Sequence, residues 1–139
     1  GTLDGSTVEI AERVGANAIE IFGLRAEEIM SYKQNHSYIA WNEYNANQDL
    51  KIVVDQLVNN TFSKLSGNFN VIYDTLLRTN DEFFVLKDFD SYINSWNHLN
   101  HLYKDSIHWN RISLHNTAQS GYFSSDRTIK QYADEIWHL

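Results

Sequence analysis

Cysteine and proline are both absent from this chain of 139 residues. Without cysteine there is neither a disulfide framework nor a thiolate metal site, a composition that suits a reducing cytosol. Nothing in the sequence accounts for the lack of proline. Basic residues are scarce: 11 Lys and Arg stand against 18 Asp and Glu, giving a net charge of -7 and a pI near 5.2. That balance disfavours nucleic acid and anionic membrane as partners, since either needs cations gathered on one face. No apolar run approaches the roughly 20 residues that span a bilayer, and no charged n-region with an apolar h-region opens the chain. The Asn-x-Ser/Thr sequons at Asn35 and Asn59 therefore read as chance occurrences in an Asn-rich chain. Gly1, Gly5 and Gly23 form neither a Gly-x-Gly-x-x-Gly motif nor a P-loop, so no nucleotide motif is present. An initiating Met is missing too, which fits a fragment or a trimmed chain.

What is present is apolar enough to fold. At 42% hydrophobic and 14% aromatic the chain is too sticky for a disordered linker, and residues 1–139 are long enough to bury the core of one domain. Gly1 to Gly5 is turn-like, and Ser6 or Thr7 is placed to cap a short helix bearing Val8, Ala11 and Val14, stopped by Gly15. Ala18-Ile19-Glu20-Ile21-Phe22 reads as a short β-strand ending at Gly23. A helix through Ala26, Ile29, Met30 and Lys33 follows. Helix, strand, helix is the local grammar of a doubly wound α/β sheet.

From Trp41 onward the pattern is helical almost throughout. Leu50, Val53, Val54, Leu57 and Val58, and again Phe69, Ile72, Tyr73, Leu76 and Leu77, each make one apolar stripe. Phe83-Phe84-Val85-Leu86 reads as a short extended or buried run. Asp88 is placed to cap a helix with Phe89, Tyr92, Ile93, Trp96, Leu99 and Tyr103, and another helix carries Ile107, Trp109, Ile112 and Leu114. Ser120-Gly121 is expected to end it, with glycine in the left-handed conformation. The last helix takes Ser124 or Ser125 as N-cap, Asp126 in its first turn, and Ile129, Tyr132, Ala133, Ile136 and Trp137 as its apolar face. The loop from Asn60 to Asn68 is the expected flexible stretch. One strand alone leaves its N–H and C=O groups unpaired, so the chain reads as a piece of a larger α/β domain.

Few residues stand out for chemistry. His98 and His101 lie three apart on a helix, with His108 and His115 beyond, and such a pair can share a metal. No His-Glu-x-x-His pattern accompanies them, so a solvated helix face is preferred and no metal is expected. Asp4, Glu9, Glu12, Glu27, Glu28, Asp134 and Glu135 offer many carboxylates, but no spacing selects a catalytic pair. Glu27 and Glu28 sit where a helix dipole favours negative charge anyway. Asp4-Gly5 reads as a turn. Trp41, Trp96, Trp109 and Trp137 can stack on sugar rings, yet three of them lie on apolar helix faces, where core packing is expected.

Two segments carry a resemblance. Gly1-Thr2-Leu3-Asp4-Gly5, followed by Val8-Glu9-Ile10-Ala11-Glu12 and Ile19-Glu20-Ile21-Phe22-Gly23-Leu24, is similar to the segment just downstream of the cofactor lysine in the glycogen, starch and maltodextrin phosphorylases. Gly121 to Trp137, with Phe123-Ser124-Ser125-Asp126-Arg127-Thr128-Ile129 at its centre, resembles the C-terminal signature of the same α-glucan phosphorylase family. Ser6-Thr7 departs from the Ala-Asn usual there, and Asn35 to Asn68 matches loosely.

The resemblance implies an α/β parent fold, two Rossmann-like domains of the glycosyltransferase B type. Residues 1–139 would supply the C-terminal portion of the cofactor-side domain, themselves mostly helical with one or two short strands. It implies a pyridoxal 5′-phosphate enzyme that uses inorganic phosphate to release glucose 1-phosphate from an α-1,4-glucan with retention of configuration. The cofactor lysine and substrate loop fall upstream of Gly1, so no catalytic residue is carried over, no cofactor is expected on the isolated chain, and that chain is expected to be inactive. Thr2, Asp4 and Gly5 are left as supports for the loop and lysine before them. Further expectations are the rest of the same polypeptide as partner, a cytoplasmic homodimer for the intact enzyme, and self-association of the isolated chain. The rival from another class is a non-catalytic helical interaction module.

Overall fold

The computed structural model describes residues 4–62 and 69–139. Eight α-helices occur among them: α1 (Gly5–Val14), α2 (Ala26–Asn35), α3 (Ala40–Ala46), α4 (Gln48–Asp55), α5 (Asn70–Leu77), α6 (Phe89–Lys104), α7 (Ser106–Gln119) and α8 (Ser125–Tyr132). A 3-10 turn at Ser120–Phe123 and a π turn at Ala133–Trp137 flank α8. The chain divides into two compact units, residues 21–97 with 1–4, and residues 5–20 with 98–139.

The first unit owns a core. Tyr38, Ala40, Tyr44, Leu50, Val54, Leu77, Phe84 and Leu86 are buried together, with Leu24, Ile29, Tyr32, Tyr73, Leu76 and Phe89 packed against them. The apolar stripes of α4 and α5 supply Leu50, Val54 and Leu77 as their spacing predicts, although Val53 and Ile72 of the same stripes are nearly half exposed. Asn47 caps α4 by accepting the Asp49 and Leu50 N–H groups. Two neighbouring left-handed residues, Asn80 (φ 63) and Asp81 (φ 44), turn the chain after α5. Asn and Asp tolerate that conformation better than other side chains. Asn80 clasps the backbone ahead of α3: its Oδ1 accepts the Ala40 N–H at 2.8 Å and its Nδ2 donates to the Tyr38 carbonyl at 3.0 Å.

The second unit has no fully buried residue among those described. It is held by packing of α1 on α7 and by side chains that reach to backbone. His115 meets the Val14 carbonyl at 3.0 Å, and Asn116 Nδ2 donates to the Ala18 carbonyl at 2.9 Å. Ser124 caps α8 through the Arg127 N–H. Ile107, Leu114, Ile129 and Ile136 remain between 57% and 71% exposed, so much of the apolar side-chain surface of this unit is uncovered.

Four expectations need correction. No strand occurs among the described residues, and Ala18 to Phe22 runs as turn and irregular chain. A strand requires neighbours to pair its backbone; here helix side chains substitute, Asn116 for the Ala18 carbonyl, Ser91 Oγ for the Gly23 N–H and Asp88 Oδ1 for the Leu24 N–H. Phe83 to Leu86 is turned, not extended, with Phe84 left-handed at φ 59. Phe84 and Leu86 are buried while Phe83 and Val85 face solvent. Gly121 is not left-handed; α7 tightens instead into the 3-10 turn that leads to the α8 cap. Trp96 and Trp137 are more than half exposed rather than core residues. The expected loop at Asn60 to Asn68 lies largely outside the described residues. Its start is fastened by Asn59 Oδ1, which accepts the Thr61 N–H and hydroxyl.

Leu77 is the most deeply buried large side chain in the first unit. Leu77→Ala is expected to destabilise that unit by about 3 kcal/mol, the lost transfer energy plus the cavity left behind, read as a lower urea midpoint.

Candidate functional site

Of the three residues expected to support the cofactor loop, Thr2 lies outside the described residues. Asp4 is exposed and stands immediately before α1, where the helix dipole favours a carboxylate. Gly5 is the first residue of α1, and a Cβ built there meets nothing within 4 Å. Glycine at this position is therefore not demanded by contacts within the chain.

His98 and His115 are each engaged by a separate partner. His98 Nδ1 is 2.9 Å from Glu20 Oε2 and His115 is taken by the Val14 carbonyl. No group of three His, Cys, Asp or Glu able to hold a metal occurs among the described residues. The carboxylates serve local structure: Glu28 accepts the Arg25 N–H at the start of α2, and Glu135 accepts from Gln131. A cleft of about 580 Å³ lies in the second unit between segment 16–20 and the α6–α7 pair, with Trp109, His98, His108 and Asn116 on its walls. Asn116 Oδ1 is buried there without a hydrogen-bond partner, so the cleft holds an acceptor that the chain leaves unmatched.

Of the two carboxylates that organise the first unit, sequence reasoning missed Asp81 and read Asp88 only as a helix cap. Asp81 is 2% exposed and accepts the Tyr38 hydroxyl and the Leu86 N–H, both at 2.7 Å. Asp88, 4% exposed, accepts the Leu24 N–H at 2.8 Å. No local signal marks the bonds to Tyr38 and Leu24, which lie 43 and 64 residues away. Burial, and next the bond to Asp81, hold the Tyr38 hydroxyl well above the usual tyrosine range. The bond to Asp55, and next burial, do the same for Tyr44. Lys87 is raised by its hydrogen bond to Glu43 at 2.9 Å, with desolvation opposing.

A Schiff-base lysine needs a depressed pKa and a site that receives the cofactor. Lys87 is shifted the other way and is paired with Glu43. Lys87 therefore does not fit such a role, and no reaction step is assigned to a pyridoxal group within these residues.

The model of the carbohydrate phosphorylase family matches residues 1–139, and the chain belongs to that family. Among individual relatives, it is 45% identical to the glycogen phosphorylase of Bacillus subtilis, 41% to that of Synechocystis and 37% to the liver form of human glycogen phosphorylase, in each case over 100% of this chain. It spans only 16–17% of the length of those relatives. No helix among the described residues is long and apolar enough to cross a membrane.

Tyr38, Tyr44 and Lys87 all titrate higher in the fold than in the unfolded chain. Their contribution to stability is therefore complete below pH 10.0 and is lost as pH rises beyond it. The urea midpoint of the first unit is expected to fall above that pH, and less steeply in a Tyr38→Phe/Tyr44→Phe variant.

Proposed function

We propose that these 139 residues are the C-terminal portion of the cofactor-side, Rossmann-like domain of an α-1,4-glucan phosphorylase. The intact enzyme is a two-domain α/β glycosyltransferase that uses inorganic phosphate to release glucose 1-phosphate from glycogen or maltodextrin with retention. It depends on pyridoxal 5′-phosphate held by a lysine outside these residues, and it works as a cytoplasmic homodimer. Thr2, Asp4 and Gly5 support the loop that carries that lysine, and the 139-residue chain alone is inactive. One observation carries the reading: family membership runs through every residue, with relatives named glycogen phosphorylase at 37–45% identity.

The physical state of the chain supports it. A second unit without a buried core and a last helix with its apolar face uncovered are what a domain looks like when its neighbouring layers are supplied elsewhere. The rest of the same polypeptide is the natural cover. The rival reading, a self-sufficient helical interaction module, has one observation in its favour, the closed core of the first unit.

The test is phosphate-dependent release of glucose 1-phosphate from maltodextrin by the full-length gene product and by the 139-residue chain, each with added pyridoxal phosphate. Activity only in the full-length protein is expected. Activity in neither overturns the phosphorylase reading, and activity in the short chain overturns its inactivity. The short chain alone is also expected to self-associate through the α8 face. Sedimentation at rising concentration should show a growing mass, whereas a monomer throughout would favour the module.

A further inference from the structure

Arg13 and Arg127 both lie on the ring of Tyr122, their guanidinium carbons 4.4 and 4.2 Å from its centroid. All three residues belong to the second unit. Arg13 stands in the last turn of α1, Tyr122 in the 3-10 turn and Arg127 in the first turn of α8. Arg127 is partly committed, its Nε donating to the Tyr122 carbonyl and its Nη1 to Gln131 Oε1 at 2.6 Å. Arg13 is exposed, and its guanidinium has no hydrogen bond or ion pair among the described residues. Neither cation is matched by a carboxylate: Glu9, one turn before Arg13, does not pair with it, and Glu135, which shares a groove with Arg127, is bonded to Gln131.

Two permanent positive charges thus share one tyrosine ring in a chain whose net charge is -7. The ring face attracts a cation but accepts no N–H hydrogen bond in the plane of the guanidinium. All of the Arg13 donors, the second Nη of Arg127 and the Tyr122 hydroxyl are left to point at something else. Both guanidinium carbons lie within 4.4 Å of a common point, so they are at most about 9 Å apart. A bidentate contact places a guanidinium carbon roughly 4 Å from phosphorus, so two guanidinium groups on the same side of the ring, closer together than that upper bound, are near enough to grip one phosphate. A planar carboxylate is spanned by a single fork, whereas a tetrahedral dianion presents oxygens to both and offsets both charges.

We propose that Arg13, Arg127 and the Tyr122 hydroxyl form a binding site for a phosphoryl dianion. The proposal does not depend on the phosphorylase reading. It is tested on the 139-residue chain by equilibrium dialysis against radiolabelled inorganic phosphate, at constant ionic strength set with chloride. A parallel series with glucose 1-phosphate distinguishes free phosphate from a phosphate ester; tighter binding of either supports the site and names its source. Saturable binding near one equivalent per chain is expected. Arg13→Gln should weaken it at least tenfold with an unchanged circular dichroism spectrum, and Arg13→Lys should recover part of the loss. Tyr122→Phe, which keeps the ring under both guanidinium groups, should weaken it about threefold. Binding that never exceeds the chloride reference, or that is unaffected by both Arg13→Gln and Tyr122→Phe, overturns the proposal and leaves the cluster as a clamp between α1 and α8.

Discussion

The buried carboxylate of Asp81 is the constraint on which the first unit depends. Removing a charge from water costs several kcal/mol unless hydrogen bonds replace the lost hydration. Here the Tyr38 hydroxyl and the Leu86 N–H do so, one from before α3 and one from the turn after α5. Satisfying that carboxylate forces the chain through left-handed residues at Asn80, Asp81 and Phe84. For Phe84 the conformation is unfavourable, at a cost on the order of 1–2 kcal/mol. In return its ring is buried 4.5 Å from Tyr38 and 5.8 Å from Tyr32, and Leu86 enters the core. Asp88 repeats the device, fastening the N–H of Leu24 just before α6 begins.

The second unit is built on another principle. It buries no side chain fully, and its tertiary contacts come from Asn116, His115 and the arginines around Tyr122. Exposed hydrogen bonds and exposed cation–π contacts are each worth about 1 kcal/mol, too little to replace a hydrophobic core. Ile107 and Leu114 of α7 and Ile129 of α8 are left largely exposed by this arrangement. Uneven stability follows: the first unit is organised around a closed core, while the second has no buried core among its described residues.

Much of the helical layout was legible from periodicity and caps. The stripes of α4 and α5, the Ser124 cap and the Gly15 stop are local features, and local interactions decide them. The Ala18–Phe22 segment was misread because β-branched apolar residues signal a strand only where partners exist, and none stands among the described residues. Phe83 to Leu86 alternates inside and outside as a strand would, yet Asp81 wraps it into turns. Gly121 carried the right composition for a left-handed cap, but Ser120 to Phe123 closes by 3-10 hydrogen bonding instead. Asp4 was legible as a turn residue and Glu27 and Glu28 as dipole partners at the start of α2, whereas nothing in the sequence paired Arg13 with Tyr122 across more than a hundred residues.

By itself, the sequence determined the family, the order of the helices and the absence of thiol chemistry, because motif identity and the 3.6-residue period are written in neighbouring residues. Tertiary structure alone decided which carboxylates are buried, which half of the chain owns a core and which arginines share a ring. Those outcomes depend on contacts between distant segments, and desolvation and hydrogen bonding select them only once the chain has closed on itself.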